Sequence, residues 1–374
     1  MKVLAISHEF PPLGGGGANA CYFITKKLVE KSHTVTLITT NFQDGSPYEV
    51  INGVKIIRIK SRRSHLEYCS FKEMLSFLYR SMIAAVKECS NNKYDICLVF
   101  FGIPSGPVGY CLKRIYGIPY VIRFGGGDIP GFQDRFLMIY KLIGPFIKAI
   151  WKNADRLIAN SDGLKKMARE FYSKKYFHVI PNGVDTEIFH PIDVKEKKYI
   201  ELLFVSRLIE RKGLQYVIPQ LRQLMDETER DIRLTVVGDG PYRDTLEKLV
   251  KRHGLEEVVH FEGMKSKDEL VSYYQRADVF ILPSKKEGMP NVVLEAMACG
   301  LPIVMTKCQG ATELIDGNGV SVDVNDFSNK LCEIISDDDL RTRMGEESLN
   351  RINNYFTWDI TVDGYIEIME DILQ

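Results

Sequence analysis

The sequence has no C-x-x-C pair: its 8 cysteines stand apart at 21, 69, 89, 97, 111, 299, 308 and 332. Thiol-based zinc sites and redox motifs need closely spaced thiols, so this scatter argues against both and fits a reducing, cytoplasmic setting. No stretch of about 18 apolar residues runs without a charge or a proline, so a membrane-spanning helix is not expected. The opening MKVLAIS has neither the long apolar core nor the small-residue cleavage site of a secretory leader. Low-complexity tracts and short repeats are missing too. The single D-x-D, Asp337 to Asp339 in SDDDL, follows a serine at an expected helix start. Acidic residues there serve capping and the helix dipole, so no metal site is expected. Nor is there a net charge: 49 Lys+Arg balance 49 Asp+Glu.

What is present is ordinary globular composition, with 45% hydrophobic and 26% charged residues among 374. That excludes disorder, collagen and coiled coil. At about 150 residues per domain, the length points to two domains. The balanced charge hides an asymmetry. Residues 1–190 hold 26 basic and 15 acidic residues, a net of +11, and the remainder carries −11. A basic half suits an anionic membrane surface or another polyanion; a chance imbalance without a partner is the other reading. No nucleic-acid partner is expected.

Apolar runs and helical patterns alternate along the first half. Strands are expected at Lys2–Ser7, Thr34–Thr40, Val54–Ile59, Ile96–Phe101, Tyr120–Arg123, Arg156–Ala159 and His178–Ile180, with a helix over Ala18–Lys31. The pattern restarts near 200, with strands at Ile200–Ser206, Leu234–Gly238, Val258–Glu262, Val279–Leu282 and Pro302–Met305, and a helix over Gly213–Leu224. Such alternation predicts parallel strands with crossover helices, hence two doubly wound α/β domains facing each other across a cleft. The polar stretch HPIDVKEKK reads as the linker, dividing a domain of residues 1–190 from one of 191–357. Ligands of open α/β sheets sit at the carboxyl ends of the strands, so functional residues are sought just after strands.

Three constellations fall there. Gly14-Gly15-Gly16-Gly17 lies between the first strand and the first helix. Glycine lets amides approach an anion, and a helix N-terminus adds positive potential, so a phosphate-bearing ligand is one reading and a ligand-free flexible loop the other. A nicotinamide dinucleotide is disfavoured. The second strand ends Thr39-Thr40-Asn41, without the acidic residue that would hold the ribose, and the loop beginning His8-Glu9-Phe10-Pro11-Pro12 is long for that turn. Second, Arg207 and Lys212 in VSRLIERKGL follow a strand and suit a pyrophosphate, one as a fork of donors and the other as a point charge. Basic residues are also common at the starts of surface helices. Third, Glu287 and Glu295 in EGMPNVVLEAMACGLP flank a helix start at which the amides of Gly288, Asn291 and Val292 face an anion. Glu287 could meet a sugar hydroxyl or a lysine. Glu295 could accept from two ribose hydroxyls, or bond only its local backbone.

VSRLIERKGL, VVGDGPYRDTLEKL, FEGMKSKDELVSYYQRADVFILPS and EGMPNVVLEAMACGLPIV, in this order, resemble the retaining glycosyltransferases of family 4. FPPLGGGGANA, HTVTLIT and VIPNGVDTEIFHP fit the same family, and the likeness spans residues 1–325. It implies the GT-B fold, with two Rossmann-like domains, an acceptor side in the first and a nucleotide-sugar donor side in the second. It also implies that the last helix, residues 358–374, packs back on the first domain. By matching position, Arg207 and Lys212 are expected to neutralise the donor pyrophosphate, and Glu287 to orient the donor sugar. Glu295 is expected to bind the ribose and Met264 to border the nucleobase. Gly15 and Gly16 are expected to approach the phosphates from the first domain.

The resemblance implies neither a metal nor any other resident cofactor. Two departures stand out. The segment Arg123-Phe124-Gly125-Gly126-Gly127-Asp128 lacks the His-Gly that many relatives carry there, leaving Arg123 and Asp128 as acceptor-side residues, and Ser206 replaces a usual glycine.

The implied reaction moves a sugar from a UDP- or GDP-type donor to a hydroxyl with retention at the anomeric carbon. The leaving phosphate would take the acceptor's proton. Preplaced cations at such a site supply roughly 3–4 kcal/mol each. Two first-half segments bear on the acceptor: Phe71–Val86, amphipathic and just after Arg58, Lys60, Arg62 and Arg63, and the apolar Asp134–Trp151, with Lys141, Lys148 and Lys152 nearby. Both suit an anionic membrane surface and a lipid-linked saccharide acceptor, as in bacterial O-antigen or capsule assembly, at the inner face of the cell membrane. Packing on the sheet is the other reading of both. A nucleotide-sugar epimerase of the same fold and a non-catalytic nucleotide-binding module are the alternative functions.

Overall fold

The run KVLAI forms β1 (Lys2–Ile6), in which Val3, Leu4, Ala5 and Ile6 are fully buried. Continuous apolar runs of this kind mark parallel strands covered on both faces. The computed structural model describes residues 1–42, 45–66, 69–132, 137–193 and 197–374. Contacts divide the chain into unit 1, Met1–Asn182 with Trp358–Gln374, and unit 2, Gly183–Thr357.

In unit 1, β1 is followed by α1 (Gly16–Glu30), β2 (Thr34–Asn41), β3 (Tyr48–Ile51), β4 (Val54–Lys60), α2 (Phe71–Asn91), β5 (Ile96–Phe100), α3 (Gly106–Tyr116) and β6 (Tyr120–Arg123). Then come α4 (Leu137–Asn153), β7 (Arg156–Ala159), α5 (Asp162–Phe171) and β8 (Phe177–Val179). The eight strands lie in the order β3-β4-β2-β1-β5-β6-β7-β8. All pairings are parallel except β3 with β4. The strand β3 was not expected from its sequence. It forms because Asn52 and Gly53, both at positive φ, turn the chain into a hairpin, the turn that an Asn-Gly pair favours.

Unit 2 contains β9 (Tyr199–Val205), α6 (Leu221–Thr228), β10 (Asp231–Val237), α7 (Arg243–Arg252), β11 (Val259–Gly263), α8 (Lys267–Arg276) and β12 (Val279–Leu282). These are followed by α9 (Asn291–Ala298), β13 (Ile303–Thr306), α10 (Ala311–Leu314), β14 (Gly319–Val322), α11 (Phe327–Ser336) and α12 (Asp338–Tyr355). Its six strands, ordered β11-β10-β9-β12-β13-β14, are parallel throughout. The helix expected over Gly213–Leu224 is replaced by two 3-10 turns, Leu214–Tyr216 and Ile218–Gln220, with α6 beginning only at Leu221. Gly213, left-handed at φ +79°, and Pro219 both interrupt a regular α-helix there.

The chain passes from unit 1 to unit 2 at Asn182-Gly183, ahead of the polar stretch expected to link them, whose residues 194–196 lie outside those described. Val184 and Phe189 are buried in the core of unit 2, which draws the boundary toward the N-terminus. The last helix, α13 (Trp358–Leu373), belongs to unit 1. Trp358 stacks on Phe23 of α1 with ring centroids 5.0 Å apart, and Lys27 pairs with Asp359 at 3.0 Å.

Candidate active site

In unit 2 the strand order reverses between β9 and β12, so the loops after these strands, 206–213 and 283–290, border the switch point where open α/β sheets take ligands. They are tied together. The Lys285 amide donates to the Arg211 carbonyl at 2.9 Å, and the Arg211 guanidinium donates to the Lys286 carbonyl. At Gly213 a Cβ would lie 1.9 Å from the Pro283 carbonyl oxygen, so only glycine permits this approach. A Cβ on Gly310, in the loop after β13, would likewise lie 2.1 Å from the Gly288 carbonyl oxygen.

This close packing delivers Lys212 to Glu287. The Lys212 ammonium donates to Glu287 Oε1 at 2.6 Å, with side chains only 14% and 10% exposed. The Arg211 guanidinium stands 3.8 Å from the same oxygen. Arg207 is exposed at the start of the same loop. Three cationic side chains thus leave one loop within six residues, and a nearly buried carboxylate holds the innermost. Beside them α9 begins at Asn291, with Pro290 as its N-cap and no side-chain bond to its first amides. The amide dipoles of Asn291 and Val292 therefore add positive potential at the end of the buried loop residues Gly288 and Met289.

Glu295, one turn further along α9, does not bond only its own backbone: the Tyr274 hydroxyl of α8 donates to its Oε2 at 2.8 Å. Burial pushes the Glu295 carboxyl up from its ordinary range, with the Tyr274 bond opposing. Met264, just after β11, is 66% exposed. Asp337 of the D-x-D caps α12, accepting from the Leu340 amide at 2.8 Å, and Asp338 is paired with Arg341 and, at 3.3 Å, with Arg230.

In unit 1 the switch point falls between β1 and β5. Gly15 is the N-cap of α1 and Gly16 its first residue, both exposed. The loop leading to them is braced from the stretch after β4: the Gly14 amide donates to Leu66 O at 2.8 Å, and Arg63, itself bonded to Leu66 O at 3.1 Å, lies 3.7 Å from Glu9. Arg123 and Asp128 are buried rather than presented at the surface. Arg123 donates to Asn182 Oδ1 at 2.5 Å, whereas Asp128 accepts from the Gly102 amide at 2.6 Å and the Gly125 amide at 2.9 Å. Both side chains therefore brace loops rather than face solvent. Burial pushes the Asp128 and Glu9 carboxyls up.

The 123–128 segment holds no histidine, but one lies just after β1. His8 is buried, with its ring edge-on to Phe101 at 4.7 Å. Burial first, and the Arg63 charge second, push its pKa down to about 3 from 6.5. Folded His8 is thus neutral while unfolded His8 takes up a proton below pH 6.5. Its contribution to stability is complete above that pH and is lost as pH falls toward 3, at about 1.4 kcal/mol per pH unit. In urea titrations at pH 7, 6 and 5, the advantage of wild type over His8→Phe is expected to shrink as pH falls; a pH-independent difference would contradict a buried neutral ring.

Sequence reading did not single out Arg211, Tyr274, His8 or Glu9 as site residues, and it counted Arg63 among basic residues suited to a membrane surface, whereas the Arg63 side chain is only 2% exposed and stands beside Glu9. Arg211 was visible as the neighbour of Lys212. The other four act through long-range packing, for which the sequence holds no local signal.

Two helix-flanked sheets, parallel but for the β3 edge, define a GT-B glycosyltransferase fold, and the switch-point loops of unit 2 carry cations beside a carboxylate. Sequence profiles agree. Residues 185–351 match Glycosyl transferases group 1, and residues 14–188 match Glycosyltransferase Family 4. The chain belongs to glycosyltransferase family 4. It is 27% identical to the D-inositol 3-phosphate glycosyltransferase of Thermobifida fusca, over 100% of this chain and 94% of that one. It is 28% identical to the lipopolysaccharide core biosynthesis glycosyltransferase LpsE of Rhizobium meliloti, over 64% and 72%. Among solved structures, the sucrose-phosphate synthase of Thermosynechococcus elongatus superposes with a TM-score of 0.83 at 21% identity, covering 100% of this chain and 99% of that one. Anabaena HepE in complex with UDP superposes with a TM-score of 0.76 at 18% identity, covering 99% and 100%.

Proposed function

We propose that this glycosyltransferase moves a sugar from a nucleoside diphosphate sugar to a hydroxyl of a lipid-linked saccharide in bacterial surface-polysaccharide assembly, with retention at the anomeric carbon and without a metal or other resident cofactor. The observation that carries this reading is the Lys212–Glu287 pair at 2.6 Å on the two switch-point loops of unit 2. In the reaction the bond from the anomeric carbon to the phosphate oxygen breaks, a bond to the acceptor oxygen forms on the same face, and the acceptor proton passes to the leaving phosphate. Arg207 and Lys212 offset the charge that grows on that phosphate, with the N-terminus of α9 adding to them. Glu287 fixes Lys212 and orients the donor sugar through its remaining acceptor capacity. Glu295, held by Tyr274, receives the ribose hydroxyls, and Met264 lies against the base. The relative solved with UDP supports a nucleotide-sugar donor, and the lipopolysaccharide relative supports a saccharide acceptor.

A panel of nucleotide sugars, followed for nucleotide release with and without lipid-linked acceptors, tests this reading. Donor consumption only with acceptor is expected. Conversion of the donor without acceptor marks an epimerase, and neither marks a nucleotide-binding module.

The acceptor's setting rests on unit 1. No helix among the described residues is long and apolar enough to cross a membrane. Yet α2 exposes Leu75, Tyr79 and Ile83, and α4 exposes Met138, Leu142 and Phe146, each set at four-residue spacing and therefore on one helical face. The first residues of the apolar 134–151 stretch, 134–136, lie outside those described. With Lys72, Arg80, Lys141 and Lys148 on the same two helices, these stripes suit peripheral attachment to the anionic inner face of the cell membrane. Sedimentation with anionic liposomes is expected for the wild type. Met138→Glu/Leu142→Glu is expected to abolish it while leaving activity on a water-soluble acceptor intact; undiminished binding by that variant removes the membrane reading.

A further inference from the structure

Unit 2 has a second opening on its carboxyl-end surface, displaced from the β9–β12 switch toward the sheet edge. A cavity of about 240 Å³ lies over the ends of β12, β13 and β14. Its walls include Ser284 and Lys285 after β12, Thr306 and Lys307 at the end of β13, Asp323 after β14, and Tyr216. Two ammonium groups come from different strand ends. The Lys285 ammonium lies 5.1 Å from the centre of the Tyr216 ring, and the Lys307 ammonium is 2.9 Å from Asp323. With one carboxylate against two ammonium groups, the lining carries a net positive charge.

The second observation is independent of charge. Ser284 is fully buried, and its hydroxyl has no hydrogen-bond partner among the described residues. Its carbonyl is engaged by the Thr306 hydroxyl. A buried hydroxyl without a partner costs about 1–3 kcal/mol, so one on a residue that lines an open cavity marks a place where a ligand acceptor completes the bonding.

We propose that this cavity is a binding site for a phosphate group, free or carried on a small phosphomonoester, held by the Ser284 hydroxyl and the Lys285 and Lys307 ammonium groups. The site is separate from the pyrophosphate contacts assigned to Arg207 and Lys212. It is coupled to them by the chain, because Ser284 and Lys285 begin the loop that carries Glu287. Occupancy would steady that loop.

Calorimetric titration of the intact protein with inorganic phosphate, and separately with a hexose phosphate, tests the proposal and tells the two sources apart by which binds more tightly. Lys285→Gln/Lys307→Gln removes two exposed side chains and is expected to weaken binding by about tenfold or more, as does loss of a charge-assisted hydrogen bond elsewhere. Ser284→Ala is expected to weaken binding as well. Asp323→Asn frees Lys307 and is expected to tighten binding by up to about fivefold, a gain that misfolding cannot produce. Arg207→Ala, which impairs the donor reading, is expected to leave phosphate binding in place. The proposal is overturned if neither ligand binds, if binding survives the double lysine change undiminished, or if Arg207→Ala alone abolishes it.

Discussion

Lys212→Ala is expected to lower kcat/KM by about 100- to 1,000-fold, the loss typical when one preorganised electrostatic donor is removed. Two effects combine. The cation proposed to meet the departing phosphate disappears, and Glu287, whose side chain is only 10% exposed, loses the ammonium at 2.6 Å. Breaking a buried pair by removing one partner costs about 3–5 kcal/mol where burial is complete. The side chains here keep some exposure, so the stability loss should be smaller than that range. Glu287→Gln keeps a hydrogen-bond acceptor against Lys212 but removes its counter-charge, so it too is expected to lower stability while reducing turnover. Because the two residues act as a unit, the double variant should lose far less than the sum of the two single losses. Kinetics paired with urea denaturation separate the effects; additive losses would show that the pair does not act jointly.

Gly213→Ala is expected to be strongly damaging to unit 2. The added Cβ would sit 1.9 Å from the Pro283 carbonyl oxygen, in a left-handed conformation at φ +79°. Neither partner is a flexible side chain, so the 206–213 and 283–290 loops must part. The strained backbone alone costs about 1–2 kcal/mol, and overpacking typically adds about 1–3 kcal/mol. Gly254→Ala is the control: its φ is +61°, with nothing within 4 Å of the added methyl. It should show only the backbone cost. Donor KM should rise sharply in Gly213→Ala and stay level in Gly254→Ala. Equal, mild effects in both would contradict the contact between the two loops.

Most strands and the alternation that makes both sheets largely parallel were legible, because buried parallel strands are written as unbroken apolar runs such as VLAI in β1 and ICLVF in β5. The edges were less so. The strand β3 alternates exposed and half-buried residues, and β14 is the short run GVSV, so neither stands out from a loop. At the site, the residues expected from E-x7-E and from the basic loop include the pair that the fold joins, Lys212 and Glu287. Their spacing of 75 residues carries no sign of contact; only the resemblance to a family linked them. Arg123 and Asp128 illustrate the reverse. The resemblance put them on the acceptor side, yet both side chains are buried and brace loops, which no local pattern discloses. Tyr274, on a different helix from Glu295, is reached only through packing.

The most direct measurement is calorimetric titration of UDP, GDP and ADP in turn into the wild-type protein and into Arg207→Ala and Lys212→Ala. One nucleoside diphosphate is expected to bind the wild type, with affinity reduced by about tenfold or more in each variant, the loss of one charge-assisted contact. Failure of all three to bind, or undiminished binding by either variant, would contradict a pyrophosphate held by the loop after β9.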